Sequence, residues 1–418
     1  MKRSALRAAV AALALATASA VGFVAMQPAY AAPARAAAAP AEKLPPLKPA
    51  VGKPLNEAVK LAGEKKFAEA LHEVQEADKV EKKTPYEEYK VAFFLGYIAI
   101  NSTPQDYPTA TVAYNRMIAS GGAPESEKVA MYDTAMRLNL QAMDYPKAIQ
   151  AATELKKLQP DGEAGQVLAT AYYQTNDFAN AATAAKALVD ADVAAGKKPA
   201  APVLALLLNS QVKTNQDFKP TLDMLATVST DPEVWGLLMQ STQEDLSKKN
   251  PSEHHLLNLY RLSMRVNTIK ADDYKVMASI DLSSGLPAEG KAVIAKGNVT
   301  GELVGQANTL FANDQGSLPA LAAEAAKTTA NGEIDVKLGE SYWTYGRFDE
   351  AVASLQKGIE KGNLKDMADA QTTLGIALLD AGKKDEALKM FNAAAAANAT
   401  VSPVAHAWAL FLQRSAAA

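Results

Sequence analysis

The sequence predicts an all-α protein: a right-handed α-solenoid of about ten stacked helix pairs, with one extra helix at the C-terminal end. Three observations predict it. Residues 336–399 carry one pattern twice: Leu338-Gly339 answers Leu374-Gly375, Tyr342 answers Leu378, Ala351 answers Ala387, and Leu355 answers Phe391, each pair 36 residues apart. A self-similar period of this length is the mark of a stacked repeat array. The second observation is a recurring marker, an aromatic residue followed three positions later by Ala. The third is composition. The 418 residues are 49% hydrophobic but only 6% aromatic, which suits closely packed helix pairs better than one large aromatic core.

The spacing has a physical reason. Leu338 and Tyr342 are four apart and share one face of a first helix. Gly339 is small where the second helix must approach, and Ala351 is the small residue that meets it. Tyr345-Gly346-Arg347-Phe348-Asp349 reads as the turn, with Gly346 free to take positive φ. One such pair cannot bury its own apolar faces, so neighbours must stack on it.

Taken in order, the chain opens with an export signal. Lys2, Arg3 and Arg7 precede the apolar run AAVAALALATASAVGFVAM, and Ala29-Tyr30-Ala31 is an A-x-A cleavage site. The expected mature start is Ala32, with 1–31 removed; an uncleaved anchor is the alternative. The general secretory route fits, because the n-region lacks the paired arginines of the twin-arginine route. The expected destination is the periplasm, or the exterior if secreted. Residues 32–54 read as an Ala/Pro-rich disordered linker, because six prolines remove donors and disfavour helix.

The array is expected over 55–414. Its markers are Phe67-x-x-Ala70, Tyr107-x-x-Ala110, Tyr145-x-x-Ala148, Phe178-x-x-Ala181, the weaker Phe218-x-x-Thr221, the stretch Leu286–Gly290, and Phe348-x-x-Ala351. Two gaps of nearly double length should each hide one degenerate pair. The first is 233–267, broken at Asn250-Pro251 with Ser252 as a cap. The second is 300–330, broken at Asp314–Ser317. Pro403 begins a last helix whose Trp408 and Phe411 should cover the open end of the stack.

The L-G-x2-Y run, the Ala twelve residues after the Gly, and the A-x3-F run resemble the tetratricopeptide repeat. The resemblance covers nearly all of the mature chain. It is specific in the two C-terminal repeats and in the fourth, where Ala169 and Tyr172 stand at the Gly and Tyr positions. No repeat carries the family's early Trp: Asp335 and Gln371 stand there in the last two. Sel1-like helical hairpins are the structural alternative. The resemblance implies a non-enzymatic scaffold that binds a protein or peptide partner in a groove lined by the first helices.

Registering the repeats on Gly339 turns particular residues toward that groove. They are Tyr97 and Asn101, Arg137 and Gln141, Tyr173 and Gln174, Lys213, and Trp343. Aromatic, Arg and amide groups are the usual composition of a recognition surface. The Lys/Asn carboxylate clamp of chaperone-binding relatives is not assembled at these positions.

Other chemistries have less support. There is no cysteine, which excludes thiol catalysis, disulfides and iron–sulfur clusters. No phosphate-binding glycine run exists, so no nucleotide cofactor is expected. The formal net charge is −3, and loss of 1–31 makes it more negative, so nucleic acid is a poor partner. No later stretch is apolar for long enough to span a bilayer. The paired lysines, such as Lys65-Lys66 and Lys383-Lys384, sit near expected helix ends. The four histidines, His72, His254, His255 and His406, lack metal-ligand spacing; the neighbouring pair would point about 100° apart on a helix. They are expected on the solvated surface. Trp235–Gln240 resembles the G-L-M-Q motif of lytic transglycosylases, and Glu340-Ser341 their catalytic Glu-Ser. The two occur in reversed order here, the motif has an extra Leu, and Glu340-Ser341 falls on repeat positions of a first helix. An envelope enzyme or small-ligand receptor on the same array is the alternative function, and a closed pocket dense in titratable groups would favour it.

Overall fold

The computed structural model describes residues 44–160 and 162–415. The expected signal at 1–31 and most of the expected linker lie outside the described residues. Those described form helices and no strand. They divide into two compact units, one ending at Phe218 and one beginning at Lys219.

The N-terminal unit contains α1 (Pro49–Gly63) with α2 (Phe67–Asp78), α3 (Pro85–Asn101) with α4 (Tyr107–Ser120), and α5 (Glu125–Gln141) with α6 (Tyr145–Leu158). It continues with α7 (Ala164–Gln174), α8 (Phe178–Ala194) and α9 (Ala201–Lys213). The first helix starts six residues before the Leu55 that the spacing marks. Pro49 stands at its first position, where no donor is needed, and burial of Val51 and Leu55 outweighs the bond lost at Pro54. The lead-in is anchored as well: Lys48 and Thr84 both donate their backbone N–H to the buried Glu87 carboxylate, at 2.7 Å each.

Six of the first helices end in the same device. The residue two places before the next helix has positive φ: Lys65, Met143, Asn176, and in the other unit Gly285, Gly346 and Gly382. The following N–H then reaches back to the carbonyl five residues earlier, as in Asp177 to Tyr172 and Arg347 to Tyr342, both at 2.9 Å. This is a Schellman closure, which satisfies carbonyls the helix end would leave bare. Asp106, Asp144 and Asp177 then cap the second helices by accepting from Thr109, Lys147 and Asn180. Successive first helices touch, α1 with α3, α5 with α7, and α7 with α9. That contact makes them the tighter, concave layer of a stacked array.

The C-terminal unit contains α10 (Lys219–Val228), α11 (Pro232–Ser247), α12 (Glu253–Arg265), α13 (Ala271–Ser283), α14 (Pro287–Lys296) and α15 (Glu302–Lys327). After these come α16 (Glu333–Thr344), α17 (Phe348–Lys361), α18 (Met367–Asp380), α19 (Lys384–Ala397) and α20 (Ser402–Ser415). The expected close approaches are present. A Cβ on Gly339 would lie 2.7 Å from Leu355 and 2.9 Å from the Ala351 carbonyl, and one on Gly375 would lie 2.5 Å from Phe391. Ala351 and Ala387 are fully buried.

The chain is an α-solenoid by this pairing, with two departures from the expected array. The degenerate pair at 233–267 exists as α11 and α12, and Ser252 caps α12 in a box closed by His255. The pair expected at 300–330 does not. It is one helix of 26 residues, α15, running through both Asp314–Ser317 and Pro319. An interior proline costs a helix about 3 kcal/mol. Here an uninterrupted apolar stripe compensates: Leu318, Leu321, Ala322 and Ala325 pack on Ile334, Leu338 and Tyr342 of α16. Among the described residues the helices therefore make eight pairs, with α9 and α10 at the ends of the two units and α15 and α20 outside any pair.

The second departure concerns the last helix, which does not cover an open end. It packs on α19 and also returns to α10, α11 and α12, so the C-terminal unit closes on itself. Trp408 is fully buried. Its ring stacks on Phe391 at 5.5 Å and meets Phe411 edge-on at 6.0 Å, while Phe411 meets Trp235 at 6.1 Å. The space that an open array would leave as a groove is occupied by α12, which touches α13, α18 and α20.

Candidate functional site

The N-terminal unit carries seven of the eight candidate residues, all in the last turns of its first helices. Tyr97 is exposed on α3, where its ring stacks on Phe93 at 6.5 Å. Asn101 turns back to donate to the Tyr97 carbonyl. On α5, Arg137 is half-buried and pairs with Asp133 at 3.1 Å and Glu163 at 2.5 Å, and Gln141 is exposed. On α7, Tyr173 is half-buried and meets Phe178 edge-on at 5.3 Å, with Gln174 exposed beside it. Lys213 ends α9, exposed, with its ammonium 5.8 Å from the same Phe178 ring. Phe178 thus joins Tyr173 and Lys213 into one cluster, a contact the spacing did not reveal. Burial raises the pKa of Tyr173, so its phenol stays a neutral hydrogen-bonding group at ordinary pH.

Trp343 sits apart, in the C-terminal unit, and its surroundings are internal. Its indole N–H donates to Asp380 at 2.8 Å, and the Arg261 guanidinium lies 4.6 Å from its ring centroid.

The polar groups around Arg261 form a dense cluster of titratable side chains. Arg261 is almost wholly buried and holds Glu289 of α14 through two nitrogens, at 2.9 and 2.6 Å. Its third nitrogen reaches Asn258 at 2.8 Å and Glu340 of α16 at 3.0 Å. His254, two turns earlier on α12, stands between two carboxylates: Nε2 lies 2.8 Å from Glu340 and Nδ1 2.7 Å from Asp369 of α18. An acid near each nitrogen favours the charged, doubly protonated ring. Burial opposes that charge, but the two carboxylates outweigh it and hold the pKa well above the ordinary value. Burial likewise opposes ionisation of Glu340, and His254 and Arg261 outweigh it, bringing its pKa down to about 2.

The histidines are therefore not a solvated set. His255 is buried and faces Asp366 at 2.9 Å, and His406 faces Asp223 at 2.9 Å; His72 is exposed. The neighbouring pair does diverge, His254 toward α16 and α18, His255 toward the start of α18. Each of these contacts joins segments far apart in sequence, which is why helical spacing gave no sign of them. Asp281 of α13 completes the cluster. It is fully buried, neither carboxyl oxygen receives a donor, and burial with the neighbouring Glu289 pushes its pKa up to about 9.

These charges consume one another. Glu340 is held as a carboxylate by two cations and has no proton to give near neutral pH. It is also bound away from Gln240, which faces a separate cleft between α11 and α12. The two elements of the transglycosylase-like reading are not brought together.

No family model matches the chain, and no curated protein does. Among solved structures it is similar to the Naa15/Naa10 complex bound to HypK-THB, at TM-score 0.37 and 18% identity over 81% of this chain and 57% of that one. It is also similar to a tetratricopeptide repeat protein from Parabacteroides merdae ATCC 43184, at TM-score 0.28 and 10% identity, covering 87% and 98% of the two chains. A third is the APC/C hetero-tetramer Cut9–Hcn1, at TM-score 0.21 and 13% identity, covering 82% and 73%. This chain is a helical-repeat protein by its own packing. The Gly339–Ala351 and Gly375–Ala387 pairs repeat one spacing, and each glycine stands closely against the facing helix.

Proposed function

We propose that the protein is a non-enzymatic scaffold of the cell envelope that binds a protein or peptide partner along the first helices of its N-terminal unit. The observation that carries this reading is the Tyr173–Phe178–Lys213 cluster, with Arg137 and Tyr97 on neighbouring first helices. Large rings and cations near the ends of touching inner helices offer contact area at low entropic cost, and such residues dominate interface energies. The C-terminal unit supports the same reading by contrast, because its inner charges are already paired. Placement in the envelope rests on the signal-like N-terminus, and the absence of catalysis on the sealed state of Glu340 and its neighbours.

The test is a crosslinked pull-down from the cell envelope, with partners identified by mass spectrometry. A partner recovered with the wild-type chain should be depleted with Tyr173→Ala and with Lys213→Ala. Equal recovery with both variants would place recognition elsewhere.

A further inference from the structure

Between α11 and α12 the paired packing fails. Where Gly375 leaves no room for a methyl group, α11 and α12 enclose a cleft of about 550 Å³. A Cβ on Gly236, in its floor, would meet nothing within 4 Å, so that glycine does not serve helix packing. Leu237, Met239 and Leu259 complete an apolar floor.

Polar side chains stand over that floor. Gln240 and Gln243 lie one turn apart on α11, and Tyr260 projects from α12. The Tyr260 ring is packed against the hydrophobic cluster formed by α12 to α15 and also lines the cleft. No described residue bonds the two amides or this hydroxyl. The rest of α12 differs sharply: Asn258 and Arg261 are fully engaged within the fold.

We propose that this cleft binds a small, neutral, polyhydroxylated ligand of the sugar class. Each carboxamide both donates and accepts, and so does the phenol. A ligand whose groups also do both, side by side, can satisfy all three at once. Sugar hydroxyls have that character, and the C–H faces of a sugar ring suit an apolar floor. The rim argues against an anion, because Glu233 and Asp273 outnumber Lys270 there. The volume is in the range of small-molecule sites, about 300–1,000 Å³. This inference goes beyond the partner-binding reading and uses none of its residues, so either can fail alone.

The test uses the full chain with isotope-labelled methionine methyl groups, Met239 being assigned by its loss in Met239→Leu. Maltose and cellobiose are titrated to about 10 mM, the range of weak site binding. The expected result is a saturable shift of the Met239 signal with at least one disaccharide. The double variant Gln240→Ala/Gln243→Ala should raise the midpoint about tenfold, the scale of one or two lost hydrogen bonds, with melting temperature unchanged. A stationary Met239 signal would overturn the proposal, as would an equal midpoint in the double variant. Movement with triglycine but with neither sugar would show that the ligand class is wrong.

Discussion

The Trp408 ring stacks on Phe391 at 5.5 Å and 18°, and its indole N–H donates to the Asn258 carbonyl at 3.0 Å. One side chain thus joins the last repeat pair to a helix 150 residues earlier. Trp408→Ala should cost about 3–5 kcal/mol. Because the unit is closed, protection from hydrogen exchange should fall in α10–α12 together with α19. Loss confined to α19 and α20 would describe an open stack with a fraying end.

Close approach within the last pairs gives a local counterpart. Ala351→Leu and Ala387→Leu place bulk where Gly339 and Gly375 already touch the facing helix, and should cost about 1–3 kcal/mol each. Exchange should rise in 333–414 before it rises in 55–195, since the two segments belong to different compact units. Simultaneous loss along both units would contradict this.

Glu340→Gln removes the shared partner of His254 and Arg261. Breaking a buried pair on one side leaves charge uncompensated and costs about 3–5 kcal/mol. The pH dependence has a definite sign. The Glu340 pKa is lowered to about 2, so the wild-type contribution is present above the ordinary carboxyl value, about 4.3, and is lost as pH falls toward 2. Urea unfolding at pH 6 and pH 3 should therefore show a smaller acid loss in the variant. An unchanged acid slope would mean that Glu340 is not held as described.

Asp281→Asn should act the other way. A carboxyl whose pKa is raised to about 9 favours folding when protonated and loses that advantage as pH climbs through 4 to 9. The amide keeps the shape and can donate to Glu289. The variant should gain more than about 1 kcal/mol over wild type at pH 8 relative to pH 5. An identical gain at both pH values would show that Asp281 does not titrate in the fold.

Much of the fold was legible because it is local. Gly339, Ala351 and their equivalents repeat at a fixed spacing, and Asp106, Asp144 and Asp177 cap helices within three residues of themselves. The misreadings arise where distant contacts override local signals. Asp314–Ser317 and Pro319 spell a break, yet the stripe from Leu318 to Ala325 is buried only if α15 continues. His254 reads as solvated surface, but it and Arg261 meet acids of α14, α16 and α18 that lie 28 to 115 residues away. Nothing periodic links such positions. Trp343 stood at a groove position by register, and the closure around α12 gave it Arg261 and Asp380 instead. The candidate row in the N-terminal unit was legible as a set of positions, and the Phe178 contact that joins two of them was not.

The central claim is that a protein partner docks on the first-helix layer of the N-terminal unit. A photo-crosslinking amino acid placed at Tyr173, and in a separate variant at Val193, tests it most directly. Val193 is 54% exposed on α8, a second helix, and so reports on the opposite layer. After irradiation of the envelope fraction, the account predicts a partner adduct from position 173 and none from position 193. An adduct from 193 without one from 173 would contradict it.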